Sequence, residues 1–161
     1  MRRFFRNRKR TQAESLGFTL VEMIAAMTIM LLLTTIALPM ASIVVRREKE
    51  LELRRDLRTM RNAIDRYKDF SDRGMIPTDM DTFGYPPTLE TLVKGVPVKG
   101  TNTRYKFLRK IPVDPMTGNK DWGMRSMQDD PDTQSWGGQD VFDVFSKSQG
   151  TGLNGIPYAD W

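Results

Sequence analysis

The sequence predicts an α+β protein in which one long amino-terminal helix packs on a small antiparallel sheet. Residues 23–45 contain no charged side chain over 23 positions, and a helix needs roughly 20 apolar residues to cross a bilayer. Residues 46–73 contain neither Pro nor Gly, and their apolar residues recur at helical spacing. Beyond residue 73, turn-forming residues and short strand patterns replace the helical pattern, so we expect the sheet there.

The first half of the helix follows a basic segment and one acidic residue. Residues 1–17 hold six Lys/Arg and one Glu, whereas residues 18–161 hold 19 residues of each sign, so the net charge of +5 belongs to the first segment. Excess Lys/Arg beside a span marks its cytoplasmic side. The pattern therefore predicts a single-pass membrane protein with its amino terminus inside and its carboxyl terminus outside. A carboxylate at Glu22 is costly in lipid, which makes it a candidate functional residue.

The second half of the helix carries one apolar stripe. Its members follow one another at steps of 4, 3, 4 and 3 residues: Leu53, Leu57, Met60, Ile64 and Tyr67. The remaining faces carry ten Lys/Arg and seven Asp/Glu, so we interpret the stripe as the face that contacts the core of the following domain. Gly74 is expected to end the helix as its carboxyl-terminal cap.

Short elements are predicted after the long helix. Residues 89–94 are expected to form a short helix, and residues 122–127 and 141–146 have the best strand patterns. A third short strand near residues 156–161 would complete the antiparallel sheet. Residues 128–138 hold three Asp, two Gly and one Pro and are expected to form an exposed loop between the first two strands.

The composition excludes several classes of chemistry. The chain has neither Cys nor His, which removes Ser-His-Asp, Cys-His and His-zinc sites as well as disulfides. It also lacks a Gly-rich phosphate-binding loop and a clear carboxylate pair. We therefore expect a protein that is not an enzyme and that is held together by packing or by a metal ion.

A calcium site is a hypothesis for the carboxyl-terminal segment. Residues 114–161 hold eight Asp and three Lys/Arg, and Ca²⁺ takes about six to eight oxygen ligands, often from a Gly-rich loop. The candidate ligands are Ser146, Ser148, Gln149, Asn154 and Asp160. The alternative is a polar loop that Leu153, Tyr158 and Trp161 anchor to the core.

A basic segment over residues 94–110 raises the question of nucleic acid. It holds six Lys/Arg and no acidic residue, with Tyr105 and Phe107 interleaved, and such patterns bind single strands in some proteins. Here we expect the charges to face acidic loops of the same or a neighbouring chain. Nucleic acid is therefore an unlikely partner.

The sequence resembles a known family at residues 17–22, Gly-Phe-Thr-Leu-Val-Glu before an apolar run. This pattern is similar to the leader of type IV prepilins and of the pseudopilins of type II secretion. The resemblance implies that a prepilin peptidase cuts between Gly17 and Phe18, and that the new amino-terminal Phe18 is N-methylated. It also implies that Glu22 meets the free amine of a neighbouring subunit during filament assembly.

Later segments resemble the major, G-type pseudopilin in patches: residues 85–93, 111–115 and 141–161. The resemblance implies a pilin-like fold with four parts. These are a cleaved basic leader (1–17), a transmembrane half-helix (18–45), a periplasmic half-helix (46–73) and a small globular periplasmic region (74–161). G-type pseudopilins bind calcium in the terminal loop through Asp carboxylates, whereas Gln149 and Asn154 stand here where acidic residues are expected.

The implied function is that of a structural subunit of a periplasmic pseudopilus in type II protein secretion. The implied location is the bacterial inner membrane, with a single span and the carboxyl terminus in the periplasm. The implied partners are further copies in a homo-oligomeric filament, the prepilin peptidase, the inner-membrane assembly platform and minor pseudopilins. Two alternatives stay open: a type IV pilus pilin serving adhesion, motility or DNA uptake, and a signal-anchored periplasmic domain that never polymerises.

Overall fold

The long first helix, α1, spans Leu20–Asp72. The computed structural model describes residues 17–101 and 103–161, without the side chains of residues 36–41. The elements that follow α1 are a 3-10 helix (Met80–Thr82), α2 (Leu89–Lys94), β1 (Val96–Pro97), β2 (Arg104–Tyr105), β3 (Gly123–Arg125), β4 (Asp143–Phe145) and a second 3-10 helix (Tyr158–Asp160). The predicted α+β class and its long amino-terminal helix are confirmed.

The chain separates into two compact units, and the boundary between them falls within α1, between Ser42 and Ile43. The unit that begins at residue 43 contains the described strands, α2 and the hydrophobic core. The unit that ends at residue 42 contributes the first part of α1.

The predicted membrane span is not supported. No helix in the described residues, 17–101 and 103–161, combines the length and the apolar character needed to cross a membrane. The predicted transmembrane half-helix and the single-pass inner-membrane localisation, with a periplasmic carboxyl terminus, are therefore wrong.

The predicted apolar stripe on α1 is buried and forms one wall of the core. Leu53, Leu57, Met60, Ile64 and Tyr67 are each at most 5% exposed. The rest of the core comes from α2, from the strands and from the loops between them, including Leu92, Trp122, Val141 and Val144. The spacing of the stripe thus located the core face of the helix correctly.

The end of α1 has the geometry of a Schellman motif. The Gly74 amide donates to the Ser71 carbonyl at 2.8 Å, and the Met75 amide donates to the Phe70 carbonyl at 2.9 Å. Gly74 has φ +65°, a conformation that costs Gly little and other residues more. The predicted capping role of Gly74 is confirmed.

The strands form two separate two-stranded antiparallel sheets. β3 pairs with β4 through Gly123 and Phe145, Met124 and Val144, and Arg125 and Asp143, inside the two predicted strand regions. A Cβ atom added at Gly123 would lie 2.3 Å from the Phe145 ring, so only Gly lets the ring cover this position. β1 and β2 were not predicted, because each is two residues long and β1 contains a Pro.

The predicted third strand near residues 156–161 is wrong. This segment forms a turn and the 3-10 helix Tyr158–Asp160 instead, and one isolated antiparallel bridge joins Thr151 to Pro157. The Gly152 amide donates to the Ile156 carbonyl at 2.8 Å and closes the turn. Pro157 lacks the N–H that a strand ladder needs, which explains why the pairing stops there.

Candidate assembly and calcium sites

The start of α1 is capped by Thr19. The Glu22 amide donates to the Thr19 Oγ1 atom at 3.2 Å, and the Met23 amide donates to the Thr19 carbonyl at 3.1 Å. A Thr followed three residues later by Glu is the pattern of a capping box. Sequence analysis missed this role, although the Thr-x-x-Glu spacing signals it.

The Glu22 side chain is exposed in the first turn of α1. An acidic side chain is favourable there because the amino end of a helix carries partial positive charge. Within the part of the chain that the structure describes, the carboxylate forms neither an ion pair nor a hydrogen bond. It is therefore accessible to a cation from another molecule.

The predicted cleavage site lies just outside the helix. Gly17 and Phe18 precede the first helical residue, and both are exposed, Phe18 at 75%. Exposed backbone outside regular structure is where proteolysis occurs most readily. The remainder of the predicted leader, residues 1–16, lies outside the described residues.

The first turns of α1 present apolar side chains on every side. All side chains from residue 18 to residue 35 are exposed, and the large apolar members include Phe18, Leu20, Val21, Ile24, Met27, Met30, Leu31 and Leu33. Three Thr hydroxyls in this stretch donate hydrogen bonds to main-chain carbonyls four residues earlier in the same helix. A helix that is apolar all round is normally buried, so this surface requires a cover.

The carboxyl-terminal loop, residues 146–161, uses several predicted calcium ligands in its own hydrogen bonds. Ser146 donates its hydroxyl to Asp114 Oδ2 at 2.6 Å. Ser148 Oγ accepts from the Gly150 amide at 3.3 Å, and Asn154 Oδ1 accepts from the Ile156 amide at 3.1 Å. These oxygens stabilise turns of the loop.

The predicted calcium ligands divide between two cavities. Ser146, Ser148 and Gln149 line a cavity of about 540 Å³, whereas Asn154 and Asp160 line another of about 480 Å³. In residues 17–101 and 103–161, no group of three or more acidic side chains is placed to hold a metal ion. Three of the five predicted ligands therefore line one cavity and two line the other, and the calcium site stays a prediction.

A buried carboxylate holds the carboxyl-terminal loop against α1. Glu50 is 8% exposed, and its Oε1 atom accepts from the Leu153 amide at 2.9 Å and from the Tyr158 hydroxyl at 3.0 Å. Arg46 lies one turn earlier, with Nε 3.6 Å from Glu50 Oε1 and 3.2 Å from the Tyr158 hydroxyl. Arg46 also donates to the Thr151 carbonyl. Sequence analysis missed Glu50 because its partners are about a hundred residues away.

A second tie joins α1 to β4 and to the end of the loop. Arg61 donates to both carboxylate oxygens of Asp143, at 2.6 and 3.3 Å. It also donates to the main-chain oxygens of Val144 at 3.1 Å and Trp161 at 2.8 Å. The planar guanidinium suits this arrangement because its five N–H groups point in fixed directions.

The two aromatic residues of the basic segment pack against other residues of the same chain. Phe107 is buried, and Tyr105 stacks on Phe70 with ring centroids 4.8 Å apart. Arg104 donates to the Gly95 carbonyl at 2.8 Å. These two rings therefore contribute to core packing, which leaves less of their surface for stacking against a base.

Comparisons with known proteins give no match. No family model, no curated protein and no solved structure matches this chain. The functional argument therefore depends on the residues and their geometry.

Proposed function

We propose that this chain is a structural subunit of a pilin-like filament, a pseudopilus of the type II secretion kind. It is assembled after cleavage between Gly17 and Phe18 and N-methylation of Phe18. The observation that carries the proposal is the exposed, apolar first part of α1, whose first turn holds the Glu22 carboxylate, which has no partner among the described residues. Such a helix needs both an apolar cover and a positive charge.

Further copies of the same helix supply the cover. Burial of apolar surface contributes roughly 25 cal/mol per Å², and the exposed side chains of residues 18–35 surround the helix. A bundle of several parallel helices covers all sides at once, which a single flat partner does not. This favours a filament with an apolar helical centre over a dimer.

The cleavage supplies the charge. A carboxylate that becomes buried in an apolar bundle is strongly destabilising unless a cation pairs with it. Cleavage after Gly17 creates an amine at Phe18, four residues before Glu22. The amine of a neighbouring copy then pairs with Glu22 and sets the axial offset between subunits.

The second unit supports the pseudopilin assignment over a disulfide-closed pilin. The chain has no Cys, and its carboxyl-terminal loop is closed by Glu50 and by Arg61. The proposal requires a prepilin peptidase, an assembly platform and minor pseudopilins as partners.

The test compares wild-type protein with the variants Glu22→Gln and Glu48→Gln, expressed in the native host. Intact mass and amino-terminal sequencing report processing, and electron microscopy reports filaments. We expect all three proteins to start at Phe18 with one added methyl group. We expect filaments from wild type and from Glu48→Gln, because Glu48 is an exposed residue on α1. We expect Glu22→Gln to lower the filament number at least about tenfold, because the charge pair is removed.

Two results contradict the proposal. A wild-type protein that starts at Met1 in a host with an active prepilin peptidase rules out the processing step. Filament numbers that are equal for Glu22→Gln and wild type rule out the assembly role of this carboxylate.

A further inference from the structure

A groove of about 480 Å³ lies between α1 and the carboxyl-terminal loop, within the second unit. We call it the arginine groove. Its charged and polar lining consists of three arginines, two asparagines and one aspartate, and its apolar lining is Leu57, Ile156 and Trp161. The lining thus holds three cations and one carboxylate, which gives the groove a net positive charge.

Two of the three arginines are available to such a partner. Arg61 is occupied by Asp143 and by two main-chain oxygens. Arg54 and Arg58 are exposed, and neither pairs with a carboxylate in the described residues. The Arg54 guanidinium lies 4.2 Å from the centre of the Trp161 ring, which orients it over an apolar surface.

An acidic loop elsewhere on the same chain has the complementary chemistry. Asp130, Pro131 and Asp132 are exposed at the turn between β3 and β4. The loop is braced by Asp129, which accepts from the Ser126 amide at 2.7 Å and from the Gly137 amide at 3.0 Å. These two amides lower the pKa of Asp129.

The side chains of Asp130 and Asp132 are both exposed. Among the described residues, the side chains of Asp130 and Asp132 form no ion pair. The arginine groove and the acidic loop are therefore complementary but do not satisfy each other in one copy.

We propose that the arginine groove of one copy receives the acidic loop, residues 129–132, of a second copy. The contact joins two different surfaces of the same chain, so it is heterologous, and repeated heterologous contacts generate an open helical filament when their rotation does not close a ring. The inference rests on the proposed function and adds a contact between globular regions to the contact between helices. Opposite charges at this contact also increase the specificity and the rate of association between copies.

The test uses disulfide cross-linking, because the chain has no Cys of its own. The full chain carries Asn62→Cys in the groove and Gln128→Cys beside the acidic loop. These substitutions leave the arginines of the groove and the aspartates of the loop unchanged. We expect oxidation to give a ladder of linked copies. The matched control carries Asn62→Cys with Lys120→Cys, which is also exposed but lies in another loop, and we expect at least about tenfold less product.

Charge exchange tests the chemistry of the contact. Adding Arg54→Glu and Arg58→Glu to the first pair is expected to lower cross-linking at least about tenfold, because like charges then oppose each other. Adding Asp130→Arg and Asp132→Arg as well is expected to restore it. Thermal unfolding of each variant confirms that these exposed substitutions leave the fold intact.

The outcomes separate this inference from the proposed function. Wild-type filaments together with cross-linking no better than the control, or unaffected by charge reversal, overturn the contact and leave the filament proposal standing. Charge-dependent cross-linking without filaments supports the contact and contradicts the filament proposal. A groove occupied by another acidic protein is revealed by cross-links to that protein in place of the ladder, which also overturns the inference.

Discussion

Glu50 illustrates how one buried carboxylate positions a whole segment. Its Oε1 atom accepts from the Leu153 amide and the Tyr158 hydroxyl, and Arg46 lies beside it. Removing such an acceptor leaves the buried Tyr158 hydroxyl and the part-buried Leu153 amide without this partner, which costs more than the hydrogen bonds alone contribute. The carboxyl-terminal loop therefore depends on this residue.

We expect Glu50→Ala to lower the free energy of unfolding by about 2–3 kcal/mol, because the buried Tyr158 hydroxyl and the Leu153 amide lose their acceptor. Glu48→Ala, two residues earlier and exposed, is the control and is expected to change it by less than about 0.5 kcal/mol. Urea unfolding followed by tryptophan fluorescence measures both, since Trp122 is buried and Trp161 lies in the affected loop. Equal effects of the two substitutions would show that Glu50 does not hold the loop.

At the scale of elements, α1 has two different environments along its length. Its first described turns are exposed on every side, whereas its later turns bury one stripe against the core. Leu51 and Leu53 stand two positions apart and belong to opposite sides of the helix, with exposures of 69% and 0%. Substituting each Leu by Ala therefore tests which face of the helix is buried, with the same change at both positions.

We expect Leu53→Ala to lower the free energy of unfolding by about 2–5 kcal/mol, because it removes buried methyl groups and leaves a cavity. Leu51→Ala is expected to change it by less than about 0.5 kcal/mol, because its side chain is mostly in solvent. Chemical unfolding of both variants measures the difference. Similar losses would contradict the assignment of the core face.

At the scale of the whole molecule, the unit from residue 43 onward is stabilised by packing and by long-range polar ties. Its core is continuous from α1 through α2 to β4, and Glu50 and Arg61 attach the carboxyl-terminal loop to α1. The loop thus has a mechanism of closure that does not require a metal ion.

We expect added calcium, or its removal with EDTA, to shift the melting temperature by less than about 2 °C. A site occupied at a hundred times its Kd would add about 2.7 kcal/mol, which corresponds to a shift of several degrees or more for a unit of this size. Calorimetry with magnesium as the control ion measures the effect. A calcium-specific rise above about 5 °C would instead support the calcium site predicted in the carboxyl-terminal loop.

The sequence by itself determined the features that depend on local periodicity and local backbone chemistry. The stripe from Leu53 to Tyr67 followed from helical spacing, the cap at Gly74 from its tolerance of positive φ, and the pairing regions of β3 and β4 from strand patterns. The long helix and the α+β class followed from these.

Tertiary structure decided which distant groups meet. Glu50 bonds residues 103 and 108 positions away, and the predicted calcium ligands all lie within residues 146–160 but line two cavities. These features depend on the packing of segments far apart in the chain, because a side chain's partner is set by the fold and not by its sequence neighbours. The membrane span, predicted from the uncharged run and the basic segment before it, was wrong.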